Sequence, residues 1–149
     1  DLASPGDVVV VDAGGDLTNA MLGEMMLAHA ETRGLAGVVI NGAIRDLASI
    51  RTKSFPVYAA GVTHRGPYKN GPGEINVPVS LSGMIVMPGD LILGDDDGVV
   101  AVPRAEAEAI CAEAEQKHAQ ETAHLQEILA GRVDRSWIDR TLGALGCKL

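Results

Sequence analysis

Short β-branched runs closed at both ends by glycine or proline recur from Asp7 to Val102, and they set what this chain can fold into. Residues 7–12, Asp-Val-Val-Val-Val-Asp, lie between Pro5-Gly6 and Gly14-Gly15 and read as a buried strand followed by a glycine turn. Gly23 then precedes residues 24–33, made largely of good helix formers and stopped by Gly34, so a helix is predicted there. Residues 37–41 form the next strand. Arg45-Asp46 sits just beyond it, with Asp46 expected to cap a short helix running to about Lys53. From Phe55 onward the pattern changes to strands at 56–62, 75–81, 84–87, 90–93 and 99–102. Gly66-Pro67, Gly71-Pro72-Gly73, Pro88-Gly89 and Asp97-Gly98 supply the reversals, and Pro78 marks an edge or a bulge. Pro103 opens a helical segment from Arg104 to about Ala130, which Gly131 ends, and a last short helix begins at Ser136 as its N-cap. Helices and antiparallel strands in segregated blocks predict an α/β or α+β sandwich rather than a doubly wound sheet.

At 149 residues the chain fits a single domain spanning 1–149, with 104–149 as its C-terminal helical segment. Only one Phe, two Tyr and one Trp occur, so Val, Ile, Leu, Ala and Met must fill the interior. A formal charge of -8, without a Lys/Arg cluster or an aromatic platform, argues against nucleic acid as a partner. Cys111 and Cys147 read as two inert thiols of a reduced, cytoplasmic protein. No apolar run approaches the roughly 20 residues needed to span a bilayer, which predicts a soluble protein without membrane partners. Because the sequence starts at Asp1, with a strand signal almost at once, an N-terminal portion is expected to precede it.

Chemistry concentrates at Glu24 and Arg45-Asp46, with residues 25–44 between them. Glu24 lies in the first turn of one predicted helix, whereas Arg45-Asp46 closes a strand and starts the next. Both are places where unpaired backbone N–H groups favour an anion. The carboxylate of a small 2-oxo acid could rest on the amides of Met25 and Met26, with its keto oxygen beside a cation held by Asp46. A hard cation accepts one direct carboxylate with further acids, such as Glu24, in support. Arg45 would place fixed positive charge where an enolate develops.

In order along the chain come Asp12-Ala-Gly-Gly, Gly23-Glu-Met-Met, the stretch from Gly34 to Arg45-Asp46, Phe55-Pro-Val, Gly71-Pro-Gly-Glu-Ile-Asn-Val-Pro-Val, and the stretch from Gly89 to Pro103. Together they resemble the RraA-like superfamily, which includes the 4-hydroxy-4-methyl-2-oxoglutarate/4-carboxy-4-hydroxy-2-oxoadipate aldolases, class II pyruvate aldolases of aromatic compound catabolism. The tail from Ser136-Trp137-Ile138-Asp139 is more similar to the aldolase branch than to the ribonuclease-regulator branch. The resemblance implies a swivelling β/β/α sandwich, assembled as trimers or hexamers with active sites between subunits, and a further N-terminal portion. It implies Mg²⁺ or Mn²⁺ held by Asp46, with Glu24 and the neighbouring subunit's Glu121 reaching the cation through water. Glu115 and Glu127 stand behind Glu121 as alternatives. Catalysis would fall to Arg45, Asp46, Glu24 and Glu121, and substrate binding to Gly23, Met25, Met26 and Arg45. The implied reaction is retro-aldol cleavage of a 4-hydroxy-2-oxo diacid to pyruvate, with oxaloacetate decarboxylation as a secondary activity; the rival is a regulator that binds a ribonuclease or helicase. Two departures stand out: the family's first signature acid is commonly Asp where this chain has Glu24, and Ser49 replaces an acid three positions after Asp46.

Other groupings read more plainly. Asp95-Asp96-Asp97 lacks the alternation and distal Glu of a calcium loop and fits a hairpin turn. His29, His64, His118 and His124 form no zinc-binding helical pair and are expected to be exposed. Gly14-Gly15 lacks dinucleotide-binding spacing. Residues 63–69, with His64, Arg65 and Lys69, read first as a loop, though their charge could attract a distal substrate carboxylate. Met25, Met26 and Leu27 are expected in the core.

Overall fold

The computed structural model describes residues 2–147. The chain divides into two compact units, Asp1–Arg104 and Ala105–Leu149. In the first, β1 (Val8–Leu22), β2 (Gly37–Ile44) and β3 (Val57–Val62) form a parallel sheet in the order β1-β2-β3. The connections carry α1 (Glu24–Thr32) and α2 (Leu47–Ile50). Parallel neighbours on both sides and helical connections bury the central strand, and every residue of β2 except Asn41 is buried.

The predicted glycine turn after Asp12 does not end the first strand. β1 spends 15 residues against the eight of β2. Pairing runs regularly from Val8↔Gly37 to Asp12↔Asn41, then jumps to Asp16↔Gly42, to Ala20↔Ala43 and to Leu22↔Ile44. Gly14 and Gly15, at φ 63° and 73°, let the backbone bulge outward and return to the same partner. The Asp12 carboxylate accepts the Gly14 N–H at 2.9 Å and the Asn41 side-chain amide at 3.0 Å, fixing that bulge to β2. β1 thereby reaches the far end of β2.

Leu22, Leu27, Val38, Ile40, Ile44 and Ile50 form the buried cluster, with Val9, Val11, Met21, Leu47, Phe55 and Val57 packed against it. Its buried members are all aliphatic, as the shortage of aromatics requires. Leu27 is the residue of α1 that the cluster takes. Met25 and Met26, expected beside it, are 82% and 60% exposed, because at helical spacing they turn away from the face that Leu27 presents to the sheet.

Two antiparallel hairpins follow. β4 (Val79–Leu81) and β5 (Met84–Val86) are joined by Ser82-Gly83, both at positive φ as a two-residue type I′ turn demands. The strand predicted at 75–81 is confined to its last three residues, since Asn76 at φ 57° and Pro78 interrupt the extended run. β6 (Leu91–Asp95) and β7 (Gly98–Val102) pair with Asp95 opposite Gly98, so Asp96-Asp97 forms the turn rather than Asp97-Gly98. Asp95 Oδ1 accepts the amides of Asp97 at 2.9 Å and Gly98 at 3.2 Å, which accounts for the acidic triplet as turn chemistry.

A 3₁₀ turn, Arg104–Glu106, leads into the second unit, which contains α3 (Ala107–Leu129) and α4 (Ser136–Ala144). Gly131 at φ 68° follows the end of α3. Ser136 is the first residue of α4 rather than its N-cap: Asp134 accepts its N–H at 2.8 Å and its hydroxyl at 3.0 Å. Cys111 and Cys147 are exposed free thiols, and no helix among the described residues is long and apolar enough to cross a membrane.

Ile40, 2% exposed on the central strand, tests this core. Ile40→Ala should lower unfolding free energy by about 2–5 kcal/mol and Ile40→Val by about 0.5–1.5 kcal/mol, read from urea denaturation. A wild-type midpoint for the alanine variant would place the core elsewhere.

Candidate active site

Parallel pairing sets the C-terminal ends of adjacent strands level, so the residues that follow them share one rim. Leu22 pairs with Ile44 and Ile44 with Val62. Arg45 N–H donates to Leu22 O at 3.0 Å, and Thr63 N–H to Ile44 O at 2.9 Å. Gly23-Glu24, Arg45-Asp46 and Thr63-His64 are therefore neighbours although the sequence separates them widely. Arg45, Asp46, Val62, Thr63 and His64 line an open cleft of about 300 Å³ on this rim.

Asp46 does not cap its own helix. It occupies the N-cap position of α2 but adopts the left-handed conformation, φ 61° and ψ 33°, whereas a capping side chain needs an extended backbone. A non-glycine residue in that region is uncommon and concentrates at functional sites. Its Oδ2 instead accepts the N–H of Glu24 at 3.0 Å, so the carboxylate meets the first unpaired amide of α1. Arg45 Nε stands 3.6 Å from the same oxygen, with both side chains nearly half exposed. Gly23 is buried at this junction. A Cβ there would collide with Asp46 Oδ2 and fall 2.7 Å from Arg45 Cγ, so only glycine permits the approach.

Glu24 is exposed, and its Oε1 accepts the Ser49 hydroxyl at 2.6 Å. Ser49 stands out in the sequence only as a departure from a family pattern, and no local signal names its partner 25 positions away. The amides of Met25 and Met26, in the first turn of α1, have no hydrogen-bond partner among the described residues. They open toward an anion as a helix N-terminus does. Of the loop 63–69, Thr63 and His64 reach the cleft, while the Arg65 carbonyl accepts Ala20 N–H at 2.8 Å and ties the loop to β1.

The structure thus brings together Gly23, Glu24, Met25, Met26, Arg45 and Asp46. Glu121 stands exposed on α3 of the second unit, 3.6 Å from Lys117 one helical turn earlier, and Glu127 is held by two hydrogen bonds from Arg132 at 3.0 and 2.9 Å. No group of three or more His, Cys, Asp or Glu side chains among the described residues could hold a metal ion. The donor set still suits a hard divalent cation. Asp46 Oδ1 and Glu24 Oε2 accept no hydrogen bond among the described residues, and magnesium-like ions bind one or two carboxylates while retaining water.

The RraA-like family, described as Aldolase/RraA, matches residues 1–101. A protein of Halalkalibacterium halodurans named "Putative 4-hydroxy-4-methyl-2-oxoglutarate aldolase" is 44% identical over 126 residues, covering 85% of this chain and 60% of that protein. The chain therefore spans about 60% of the length of the curated relatives it matches. Among solved structures, an uncharacterized protein from Pseudomonas syringae superposes with a TM-score of 0.80 at 26% identity, over 88% of this chain and 66% of that one. Streptomyces coelicolor RraAS2, described as an unusual member of the RNase ES inhibitor RraA protein family, gives a TM-score of 0.75 at 34% identity, over 83% of this chain and 64% of that one. With a common fold and an extended sequence match, this chain belongs to the RraA-like family.

Proposed function

We propose that this chain carries the active site of a divalent-metal-dependent pyruvate aldolase. Its substrate would be a 4-hydroxy-2-oxo diacid such as 4-hydroxy-4-methyl-2-oxoglutarate or 4-carboxy-4-hydroxy-2-oxoadipate. The observation that carries this reading is the left-handed Asp46, whose carboxylate is held against the start of α1 beside Arg45 at the rim of an open cleft. The name of the Halalkalibacterium halodurans relative supports the substrate class.

In this site the Met25 and Met26 amides bind the C1 carboxylate, and Gly23 leaves room for Asp46 and Arg45 beside them. Asp46, with Glu24 in support through water, would hold Mg²⁺ or Mn²⁺, a Lewis acid that would polarise the C2 keto oxygen. Arg45 provides charge and hydrogen bonds at that oxygen as electrons arrive from the breaking C3–C4 bond. Glu24 and the neighbouring subunit's Glu121 take the proton of the C4 hydroxyl through water and return one to C3, which yields pyruvate and a second oxo acid. Oxaloacetate loses CO₂ through the same electron flow, so the same residues would serve its decarboxylation. On this reading Glu121 is supplied by a neighbouring subunit of a trimer or a hexamer.

A second reading, a protein regulator of a ribonuclease or helicase, is favoured by the description of the RraAS2 neighbour. It requires no turnover. The longer protein, assayed for pyruvate release with Mn²⁺ and then with EDTA, separates the two. Release should vanish with EDTA and in Asp46→Ala, while gel filtration shows the oligomer intact; turnover that persists in either condition contradicts the role of Asp46. Arg45→Lys should lower kcat by about tenfold or more with a smaller change in KM, because a planar fork becomes a point charge. Wild-type kcat in that variant would remove Arg45 from the stabilisation of negative charge.

A further inference from the structure

Three hydrogen bonds close a ring around the rim. Glu24 N–H donates to Asp46 Oδ2 at 3.0 Å, Ser49 N–H donates to the Asp46 carbonyl at 3.1 Å, and the Ser49 hydroxyl donates to Glu24 Oε1 at 2.6 Å. From this ring we infer that Ser49 is a positioning residue, which sets the Glu24 carboxylate relative to that of Asp46. The inference rests on the aldolase reading above.

The need for such a residue follows from Glu24 itself. It is an exposed first-turn glutamate with three rotatable side-chain bonds, and α1 leaves its carboxylate unanchored. Ser49 anchors one oxygen with a short hydrogen bond of the kind a charged acceptor forms, leaving Oε2 open. A hydroxyl also suits the task by charge. A lysine or arginine at position 49 would neutralise the carboxylate a cation needs, whereas a hydroxyl donates to it without changing its charge. Ser49 is itself half-buried, and the bond from its N–H to the Asp46 carbonyl fixes its hydroxyl at a set offset from Asp46. The length of Glu24 and the shortness of Ser49 thus form one arrangement: the longer acid reaches across to α2, and a small donor waits there.

The experiment uses the longer protein with Mn²⁺ and compares wild type, Ser49→Ala, Ser49→Thr, Glu24→Gln and the Glu24→Gln/Ser49→Ala double variant. Steady-state pyruvate release gives kcat and KM, and electron paramagnetic resonance titration gives Mn²⁺ affinity without turnover. Ser49→Ala should lose about tenfold in Mn²⁺ affinity and a similar factor in kcat, as loss of a supporting hydrogen bond does, with KM nearly unchanged. Ser49→Thr, which keeps the hydroxyl, should restore most of both. In the Glu24→Gln background the alanine change should add little, because its effect runs through the glutamate. Wild-type affinity and kcat in Ser49→Ala, or an undiminished loss in the Glu24→Gln background, overturn the inference. A loss that threonine does not repair is a packing defect and overturns it as well. Absence of Mn²⁺ binding in wild type sinks the underlying aldolase reading, whereas binding that depends on Asp46 but ignores Ser49 sinks this inference alone.

Discussion

Everything at the candidate site depends on β1 and β2 ending level with each other. The Arg45 N–H to Leu22 carbonyl bond fixes that alignment, and from it two chain segments leave the sheet side by side, one as α1 and the other as α2. Parallel strands make this possible because their C-terminal ends lie on the same edge. The bulges of β1 serve the same end. Without the residues extruded around Gly14-Gly15 and after Asp16, a 15-residue strand could not finish opposite the eighth residue of its partner.

Local conformation then turns alignment into a site. Asp46 takes a backbone conformation that costs on the order of 1 kcal/mol for most residues but that aspartate tolerates better than others. That conformation withdraws its carboxylate from α2 and delivers it to α1. Gly23 leaves room for the carboxylate and for the Arg45 stem. The exposed Arg45–Asp46 pair adds little stability at the surface, so its proximity matters for charge placement rather than for folding.

Much of this was legible in the sequence. Val, Ile and Gly runs marked the central strand, Gly34 and Gly131 marked helix ends, and the scarcity of aromatics foretold an aliphatic core. Glu24 and Arg45-Asp46 could be singled out because one stood in the first turn of a predicted helix and the other closed a strand and started the next helix. The sequence did not reveal what the Asp46 side chain does, since an aspartate before a short helix ordinarily reads as its cap and only the positive φ redirects it. Ser49 escaped for a related reason. Its partner lies 25 positions away, and a serine in a short helix carries no pattern that names a distant acceptor. The length of β1 escaped too, because glycine pairs signal turns more often than bulges. Glu121 was chosen by its position within a helix, and it stands exposed on α3 of the second unit.

On the proposed reading, Asp46 anchors a cation beside a three-carbon keto acid with Arg45 alongside. A crystal of the longer protein grown with Mn²⁺ and oxalate, measured at a wavelength where manganese scatters anomalously, tests it most directly. An anomalous peak is expected against the Asp46 carboxylate, with oxalate between that peak and the Met25 and Met26 amides. A fully occupied crystal with oxalate elsewhere, or with no manganese at Asp46, would contradict it.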